Sequence, residues 1–288
     1  MTREEIQVAL SELAETYDFQ QIGEQNGKIK QVKSILSNSK PNPMRLFIAE
    51  GFWLTSKVIK YNVHVHTFIM CIEDIRTNEG YSVASHMAKC ADELYVVSHK
   101  VFEKISERDK SDGLLAIAEL PHYDLDTFKV EPKSIILVLD GVEIPGNIGT
   151  MARVADGAGV SAMFICNRKA RLTHPKYINS SMGAALYLPT FEFDSVDECY
   201  DWLKEHDFEV FLADTRAELK YYEEDYGKNT AFVLGSERYG ISRVWYDKDI
   251  EMISIPMLGD QDSLNVGVAG TILMYEASMK NKLFMTRK

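Results

Sequence analysis

The sequence contains no hydrophobic run that approaches the roughly 20 residues needed to cross a bilayer. Its first residues, MTREEIQVALSELAETYDF, lack the basic-then-apolar order of a signal peptide. Internal repeats and low-complexity tracts are also absent from the 288 residues. We therefore expect a cytoplasmic protein that has no membrane partner. Its length suits two domains of ordinary size.

Cysteine is scarce and carries no metal-binding spacing. The four cysteines form no CxxC pair and are widely separated, at Cys71, Cys90, Cys166 and Cys199. We expect them to be buried free thiols. His64 and His66 would point to one face of a strand, which suits a metal ion, but no third ligand lies near them in sequence. We therefore predict no metal site.

Basic residues are outnumbered, with 32 Lys and Arg against 43 Asp and Glu, which gives a net charge of −11. This balance argues against binding nucleic acid through bulk electrostatics, so any RNA contact must be a local patch. One basic stretch stands apart, NRKARLTHPK, which includes Arg168, Lys169 and Arg171. It is either a solvated loop or a contact to phosphate.

The alternation of apolar and helical patterns predicts two α/β domains. Residues 1–22 form a helical extension, 23–122 a small α/β domain, 123–133 a linker, and 134–288 a second α/β domain. The stretch around the linker, PHYDLDTFKVEPKS, has two prolines. The strands expected in the second domain are IILVLD, AMFIC, FEVFLAD, TAFVLG and MISIPM. Most of them are continuously apolar, as a parallel sheet covered on both faces requires. Helices are expected over 148–157, 194–206 and 264–279.

Three turns rich in polar and small residues follow strands of the second domain. The first, in LVLDGVEIPGNIGTMARVADGAG, carries Asn147 and Arg153 but lacks the GxGxxG pattern of dinucleotide-binding turns. A nicotinamide-dependent oxidoreductase is therefore disfavoured. Arg153 lies on the first turns of a helix, where its charge opposes the helix dipole, so we expect an anionic partner for it.

The other two turns are FVLGSERYGIS and ISIPMLGDQDSLNVGVAG. In the latter, Asp262 or Ser263 is the expected N-cap of the last helix. Asn265 would then fall inside the first turn, where its side chain needs another partner, and a ligand is one candidate. Because ligands collect beyond the carboxyl ends of strands in open α/β sheets, the three turns are expected to share one pocket.

In this order and spacing, PGNIGTMAR, VLGSERYGIS and ISIPMLGDQDSLNVGVAG resemble the three motifs of the SpoU (TrmH) family of RNA ribose 2′-O-methyltransferases, in the SPOUT superfamily. The resemblance covers roughly residues 134–280. More loosely, RLFIAEGFWLTSKVI and ISERDKSDGLLAIAE are similar to the small substrate-binding domain of members that act on ribosomal RNA.

The resemblance implies an α/β methyltransferase domain that folds around a deep trefoil knot on a parallel sheet, preceded by a small α/β RNA-binding domain. It implies S-adenosyl-L-methionine as cofactor. The expected cofactor-binding residues are Gly235, Ile255, Met257, Gly259 and Leu264. The polar motif positions, expected to be catalytic, are Asn147, Arg153, Glu237, Ser263 and Asn265. The expected RNA contacts are Arg168, Lys169, Arg171 and Arg238.

The family works as a homodimer with its active site at the interface, and a motif-one Arg is often assigned to deprotonating the ribose hydroxyl. Because Arg is effectively always protonated, Arg153 is better suited to hold the target phosphate and stabilise the developing alkoxide. We expect methylation of ribosomal RNA. Transfer RNA as the substrate, and a catalytically silent RNA-binding or ribosome-assembly protein of the same fold, are the alternatives.

Overall fold

The computed structural model describes residues 1–281, which form two compact units. The first unit comprises residues 1–121 and 173–175, and the second comprises 122–172 and the chain from 176 onward. The elements of the first unit are α1 (Arg3–Thr16), β1 (Gln20–Gln21), α2 (Gly27–Leu36), β2 (Leu46–Glu50), α3 (Gly51–Lys60), β3 (Val65–Met70), α4 (Asn78–Cys90), β4 (Glu93–Val96), α5 (His99–Phe102) and β5 (Leu114–Glu119).

The sheet of the first unit has the strand order β1-β4-β3-β5-β2. Strand β5 runs antiparallel to β2 and β3, whereas β4 is parallel to β1 and β3. Helix α2 packs Ile29 and Val32 against this sheet, where they meet buried residues of β2 and β3 such as Ile48 and Ile69. The apolar residues three apart on α2 form the buried stripe of an amphipathic helix.

The second unit begins with a 3₁₀ turn at Leu125–Thr127, has another at Ala184–Leu186, and contains an all-parallel sheet. Its elements are β6 (Ile135–Asp140), α6 (Pro145–Ala158), β7 (Ala162–Cys166), α7 (Pro175–Ser180), β8 (Thr190–Glu192), α8 (Val196–Glu205), β9 (Glu209–Ala213), β10 (Thr230–Gly235), α9 (Arg243–Tyr246), β11 (Glu251–Ile253) and α10 (Val266–Lys280).

The strand order of this second sheet is β11-β9-β10-β6-β7-β8, with every pairing parallel. Every residue of β6 and β7 is buried, which explains why these strands are continuously apolar. The carboxyl ends of parallel strands lie at one edge, so the turns that follow β6, β9, β10 and β11 gather there. The predicted fold class, a parallel α/β unit preceded by a small α/β unit, is confirmed.

Several predicted boundaries differ from the structure. Strands β1 and β8 were not predicted because they are short and are defined by pairing with distant strands. The residues predicted as a linker include Tyr123 and Phe128, which pack on the core of the second unit. Of the four free cysteines, Cys90 is exposed rather than buried.

Helix α6 positions the first motif. It begins at Pro145, whose fixed φ and missing N–H suit the first helical position, and it is followed by the cap residue Gly159, which has φ +76°. None of the helices within residues 1–281 is long and apolar enough to cross a membrane.

Candidate active site

A cavity of about 550 Å³ opens at the carboxyl ends of β9, β10 and β11. Four segments of the second unit and Tyr246 of α9 line it, and the segments are 213–216 after β9, 234–241 at the end of β10, 253–257 at the end of β11, and 263–269 at the start of α10. This volume lies within the range that small-molecule and cofactor sites occupy.

Seven of the residues predicted for the site line this cavity, namely Gly235, Glu237, Ile255, Met257, Ser263, Leu264 and Asn265. Gly259 is exposed and does not line it. Asn147 and Arg153 lie outside the lining, and so do all four residues predicted to contact RNA. The structure thus gathers most of motifs two and three around one pocket.

The N-cap of α10 is Asn265, not Asp262 or Ser263 as predicted from sequence. Its side-chain oxygen accepts a hydrogen bond from the backbone N–H of Gly267 at 2.9 Å. Asp262 and Ser263 lie before the cap in the exposed loop. The helix begins two residues later than expected, because the position of the capping residue Asn265 determines where its first turn starts and the apolar pattern of the sequence does not. Asn265 therefore has a local partner and also borders the cavity.

Residues 236–240 form a tight turn that shapes one wall of the cavity. Ser236 and Gly240 exchange two backbone hydrogen bonds, and the Ser236 hydroxyl accepts from the backbone N–H groups of Arg238 and Tyr239. A Cβ on Gly235 would lie 2.2 Å from the carbonyl carbon of Gly240, so only glycine fits there. The exposed Arg238 guanidinium lies over the Tyr239 ring, 5.1 Å from its centroid.

The first and second motifs meet through Asn147 and Glu237. The Asn147 side-chain amide, at the start of α6, donates a hydrogen bond to the Glu237 carboxylate. Glu237 also borders the cavity. The polar groups of α6 and of the turn after β10 are therefore joined at the pocket entrance.

A buried carboxylate, absent from the predicted site, organises this edge of the sheet. Asp140 ends β6 and accepts hydrogen bonds from the Asn167 side-chain amide and from the backbone N–H of Ser242, both at 2.6 Å. It is only 1% exposed. Asp140 therefore ties together the segments that follow β6, β7 and β10. An acid at the end of a fully apolar strand was the available signal.

A second group missed from sequence lies after β9. Arg216 donates two side-chain hydrogen bonds to Asp214, at 3.0 and 2.7 Å, and the Tyr246 hydroxyl donates a third at 2.5 Å. The bond from Arg216, reinforced by Tyr246, holds the pKa of Asp214 well below its usual range. Burial, with Asp214 adjacent, raises the pKa of Tyr246 to about 12. All three residues line the cavity, and no motif in the sequence marks them.

The Arg153 side chain is exposed on α6 and has no hydrogen bond or ion pair within residues 1–281. One turn further along, a Cβ on Gly157 would lie 3.0 Å from the hydroxyl of Tyr275 on α10. Helix α10 exposes Val268, Tyr275 and Met279, which are spaced to lie on one face. Arg153 therefore borders a surface that is partly apolar.

The basic stretch after β7 is only partly available for an RNA contact. Arg168 lies 3.6 Å from the Glu192 carboxylate, Lys169 is exposed, and Arg171 is half-buried.

Comparison with known proteins matches both units to described families. Residues 134–275 match the SpoU rRNA Methylase family, and residues 26–116 match the MRM3-like substrate binding domain.

Individual relatives match over most of the chain. The 23S rRNA (guanosine(2553)-2′-O)-methyltransferase RlmP of Bacillus subtilis is 24% identical, over 87% of this chain and 95% of its own. A crystal structure titled RNA 2′-O ribose methyltransferase is 31% identical with a TM-score of 0.76, over 91% of this chain and 99% of that one. The SpoU methyltransferase AviRb of Streptomyces viridochromogenes, solved with AdoMet, is 22% identical with a TM-score of 0.78, over 92% and 100%.

Proposed function

Because the chain belongs to the SpoU rRNA methylase family, we propose that it transfers a methyl group from S-adenosyl-L-methionine to a ribose 2′-hydroxyl of ribosomal RNA. The observation that carries this proposal is the cavity at the carboxyl ends of β9, β10 and β11, where motifs two and three converge. The named activities of RlmP and of the 31% identical structure support the same reaction.

The cavity suits the cofactor in size and in the chemistry of its walls. Apolar side chains of Leu234, Ile255, Met257 and Leu264 offer contacts to a flat base. Because Gly235 has no side chain, its backbone lines the cavity directly. Glu237 adds negative charge at its rim, which favours a cationic ligand, whereas the charge of Asp214 is balanced by Arg216. Gly259, outside the lining, stays a prediction from the family resemblance.

Bound S-adenosyl-L-methionine supplies an already activated methyl group, so the chain's own residues need mainly to orient the ribose hydroxyl in line with it. We assign that positioning to Ser263, Asn265 and the Asn147–Glu237 pair, which lie at the pocket or at its entrance. Arg153 would bind the neighbouring phosphate and stabilise the developing alkoxide.

Arg153 lies outside the cavity of its own chain, which favours an active site completed by a second copy. We propose a homodimer that uses the exposed face of α10, with Val268, Tyr275 and Met279, together with the adjacent surface of α6. In such a dimer Arg153 of one protomer would approach the cavity of its partner.

We also propose the trefoil knot typical of the family. Strand β11 lies at the sheet edge, yet α10 returns to pack on α6, β10 and β6 at the sheet centre. The connecting residues 254–265 border the same cavity as the turn after β10.

The RNA-binding surface would extend beyond the cavity. The first unit, whose residues 26–116 match a substrate binding domain, supports ribosomal over transfer RNA. Lys169 and Arg238 are exposed and suited to phosphate contacts, whereas Arg168 would first have to leave Glu192.

The test is transfer of labelled methyl from S-adenosyl-L-methionine to ribosomal RNA and, separately, to transfer RNA. Wild type should label ribosomal RNA at a linkage that resists alkaline hydrolysis. Arg153→Ala should lower the rate by about 10²–10³-fold, as loss of a group that stabilises developing charge does, and should leave calorimetric cofactor binding unchanged.

Arg243→Ala is the matched control, because Arg243 is an exposed arginine of the same unit outside the cavity. It should label ribosomal RNA as wild type does. Label in transfer RNA alone would show that the substrate is transfer RNA and not ribosomal RNA. Absence of both cofactor binding and label would leave a catalytically silent RNA-binding protein of this fold.

A further inference from the structure

Two histidines before and within β3 share one side of the first unit. His64 precedes the strand, and His66 is the extra residue of a β-bulge, because Val65 pairs with Ala118 whereas Thr67 pairs with Ile117. Their imidazole rings lie 4.3 Å apart between centroids. Bulges re-aim side chains, and this one leaves both rings next to each other.

The structure adds the ligands that the local sequence lacked. Asp92, just before β4, lies 2.8 Å from His64 Nε2, and Glu119, at the end of β5, lies 3.2 Å from His66 Nε2. The cross distances are 3.6 Å from His66 Nδ1 to Asp92 and 4.0 Å from His64 Nδ1 to Glu119. Each imidazole therefore approaches Asp92 through one ring nitrogen and Glu119 through the other.

The backbone fixes the positions from which these side chains project. The Asp92 N–H donates to the Val65 carbonyl, and the Glu119 N–H donates to the His64 carbonyl, both at 3.0 Å. Side chains whose backbone is fixed by strand pairing lose little conformational freedom when they bind a metal ion. Three strands thus present the four side chains as one cluster.

The spacing and the donor types suit zinc. Zn²⁺ binds imidazole nitrogen and carboxylate oxygen at about 2.0–2.2 Å, so donors around a tetrahedral ion lie about 3.3–3.6 Å apart. Candidate donor atoms of His64, His66 and Glu119 all lie within 4.8 Å of one another. Two imidazoles disfavour Mg²⁺ and Ca²⁺, which prefer oxygen ligands. His64 and Asp92 are about half exposed, which leaves an entry path.

We propose that His64, His66 and Glu119 bind one Zn²⁺ ion, which cross-links β3 to the end of β5, while Asp92 orients the His64 ring through its Nε2 atom. The ion would also neutralise the two neighbouring carboxylates in a chain of net charge −11. The site is a structural cross-link of the first unit and does not depend on methyl transfer.

The other grouping of possible ligands, Cys71, Asp74 and His99, is a poorer site. Burial and neighbouring carboxylates raise the pKa of the Cys71 thiol, which disfavours the thiolate that a metal needs. Asp74 is already engaged by both His99 and Arg76. This grouping provides an internal comparison for the experiment.

The test is calorimetric titration of ZnCl₂ into the full-length protein after removal of metal with a chelator. Wild type should bind one ion per chain, and its thermal midpoint should rise with free zinc. His66→Ala and Glu119→Gln should each weaken zinc binding by roughly tenfold or more, since even outer-shell partners contribute about 10–100-fold.

His99→Ala and His122→Ala are the matched controls and should bind zinc as wild type does, because neither side chain belongs to the cluster. Each variant's far-ultraviolet circular dichroism without metal verifies its fold. Failure of wild type to bind micromolar zinc, unchanged binding in both His66→Ala and Glu119→Gln, or loss of binding in His99→Ala would overturn the proposal.

Discussion

At the scale of single residues, the second unit depends on carboxylates placed where strands end. Asp140 joins three loops from a buried position, and Asp214 holds Arg216 and Tyr246 at the cavity. Both accept hydrogen bonds from backbone and side-chain donors, the arrangement that makes a partly or fully buried carboxylate tolerable. At both positions the charge of the carboxylate is therefore needed to hold the neighbouring loops in place, and the loops in turn supply the donors that stabilise the charge.

Asp214 should make stability depend on pH. Its pKa is lowered in the folded protein, so its ionisation stabilises the fold above the unfolded value of about 3.9, and this contribution is lost as the pH falls through the folded pKa. The difference in the free energy of unfolding between wild type and Asp214→Asn should be constant from about pH 7 to 5 and should become smaller below about pH 4. Urea unfolding across this range measures the difference.

Asp249→Asn, which changes an exposed carboxylate of the same unit, is the control and should produce no such difference. If the difference in unfolding free energy between wild type and Asp214→Asn were the same below pH 4 as at pH 7, the charge of the carboxylate would not be the cause of the difference.

At the scale of elements, Asn265 combines a helix cap with a place at the pocket. Asn265→Ala should cost about 0.5–2 kcal/mol in the free energy of unfolding, because the Gly267 N–H loses its acceptor. Asn265→Asp keeps an acceptor and should unfold like wild type. Denaturant melts measure both variants.

The same pair separates the two roles of Asn265. If the amide also orients RNA, Asn265→Asp should lose methyl transfer while retaining stability. Full activity in Asn265→Asp would limit the residue to capping, and equal stability of wild type and Asn265→Ala would contradict the cap.

Close packing of α6 on α7 requires Gly149. A Cβ there would lie 2.1 Å from the Ser180 hydroxyl oxygen and 2.4 Å from the Tyr177 carbonyl oxygen. Gly149→Ala should therefore destabilise the protein by about 1–3 kcal/mol through overpacking. The free energy of unfolding in urea is the readout.

Gly146 offers a control within the same helix, because a Cβ at that position meets nothing within 4 Å. Gly146→Ala should be neutral or stabilising by up to about 1 kcal/mol. Similar effects for the two substitutions would mean that helix propensity, not the contact with α7, decides the outcome.

Helices and strands were predictable where burial determines which residues occur in them. They were less predictable where pairing with a distant strand determines the conformation. The apolar runs of β6, β7 and β10 gave their bounds because both faces of these strands are covered. Strand β8 was missed, since its pairing with β7 decides its conformation. The N-cap of α10 was misassigned because Asp262, Ser263 and Asn265 all have capping chemistry, and only the loop's path chooses between them.

At the scale of the whole molecule, the family motifs predicted most of the cavity lining. They did not predict the lining residues that come from loops outside the motifs. Glu237, Ser263 and Asn265 were predicted from their motifs and do border the cavity. Asp214 and Tyr246 were not, because they lie 32 positions apart and meet only through the fold. Arg153, predicted as catalytic, lies outside the lining, so its role stays a prediction that depends on a second copy.

The proposed dimer can be tested through Met279, which is 63% exposed on α10. Sedimentation equilibrium should give wild type a mass about twice that of the 32.7 kDa chain. Met279→Glu should shift the protein toward the single-chain mass, because a charge in an apolar interface is costly to bury. Methyl transfer should fall in parallel.

Val8→Glu places the same charge on an exposed apolar residue of α1 in the first unit and should leave the mass unchanged. A monomeric wild type that transfers methyl groups would refute the dimer while leaving the proposed reaction intact.

The cavity draws its walls from chain segments that run from Ala213 to Ala269, and its last wall comes from α10. A nascent chain therefore cannot complete the pocket before α10 has been synthesised and has packed against β10. Contacts of this sequence separation form late, after their loops have closed. Affinity for the methyl donor would thus appear only at the end of folding, and bound cofactor would selectively protect finished molecules from proteolysis.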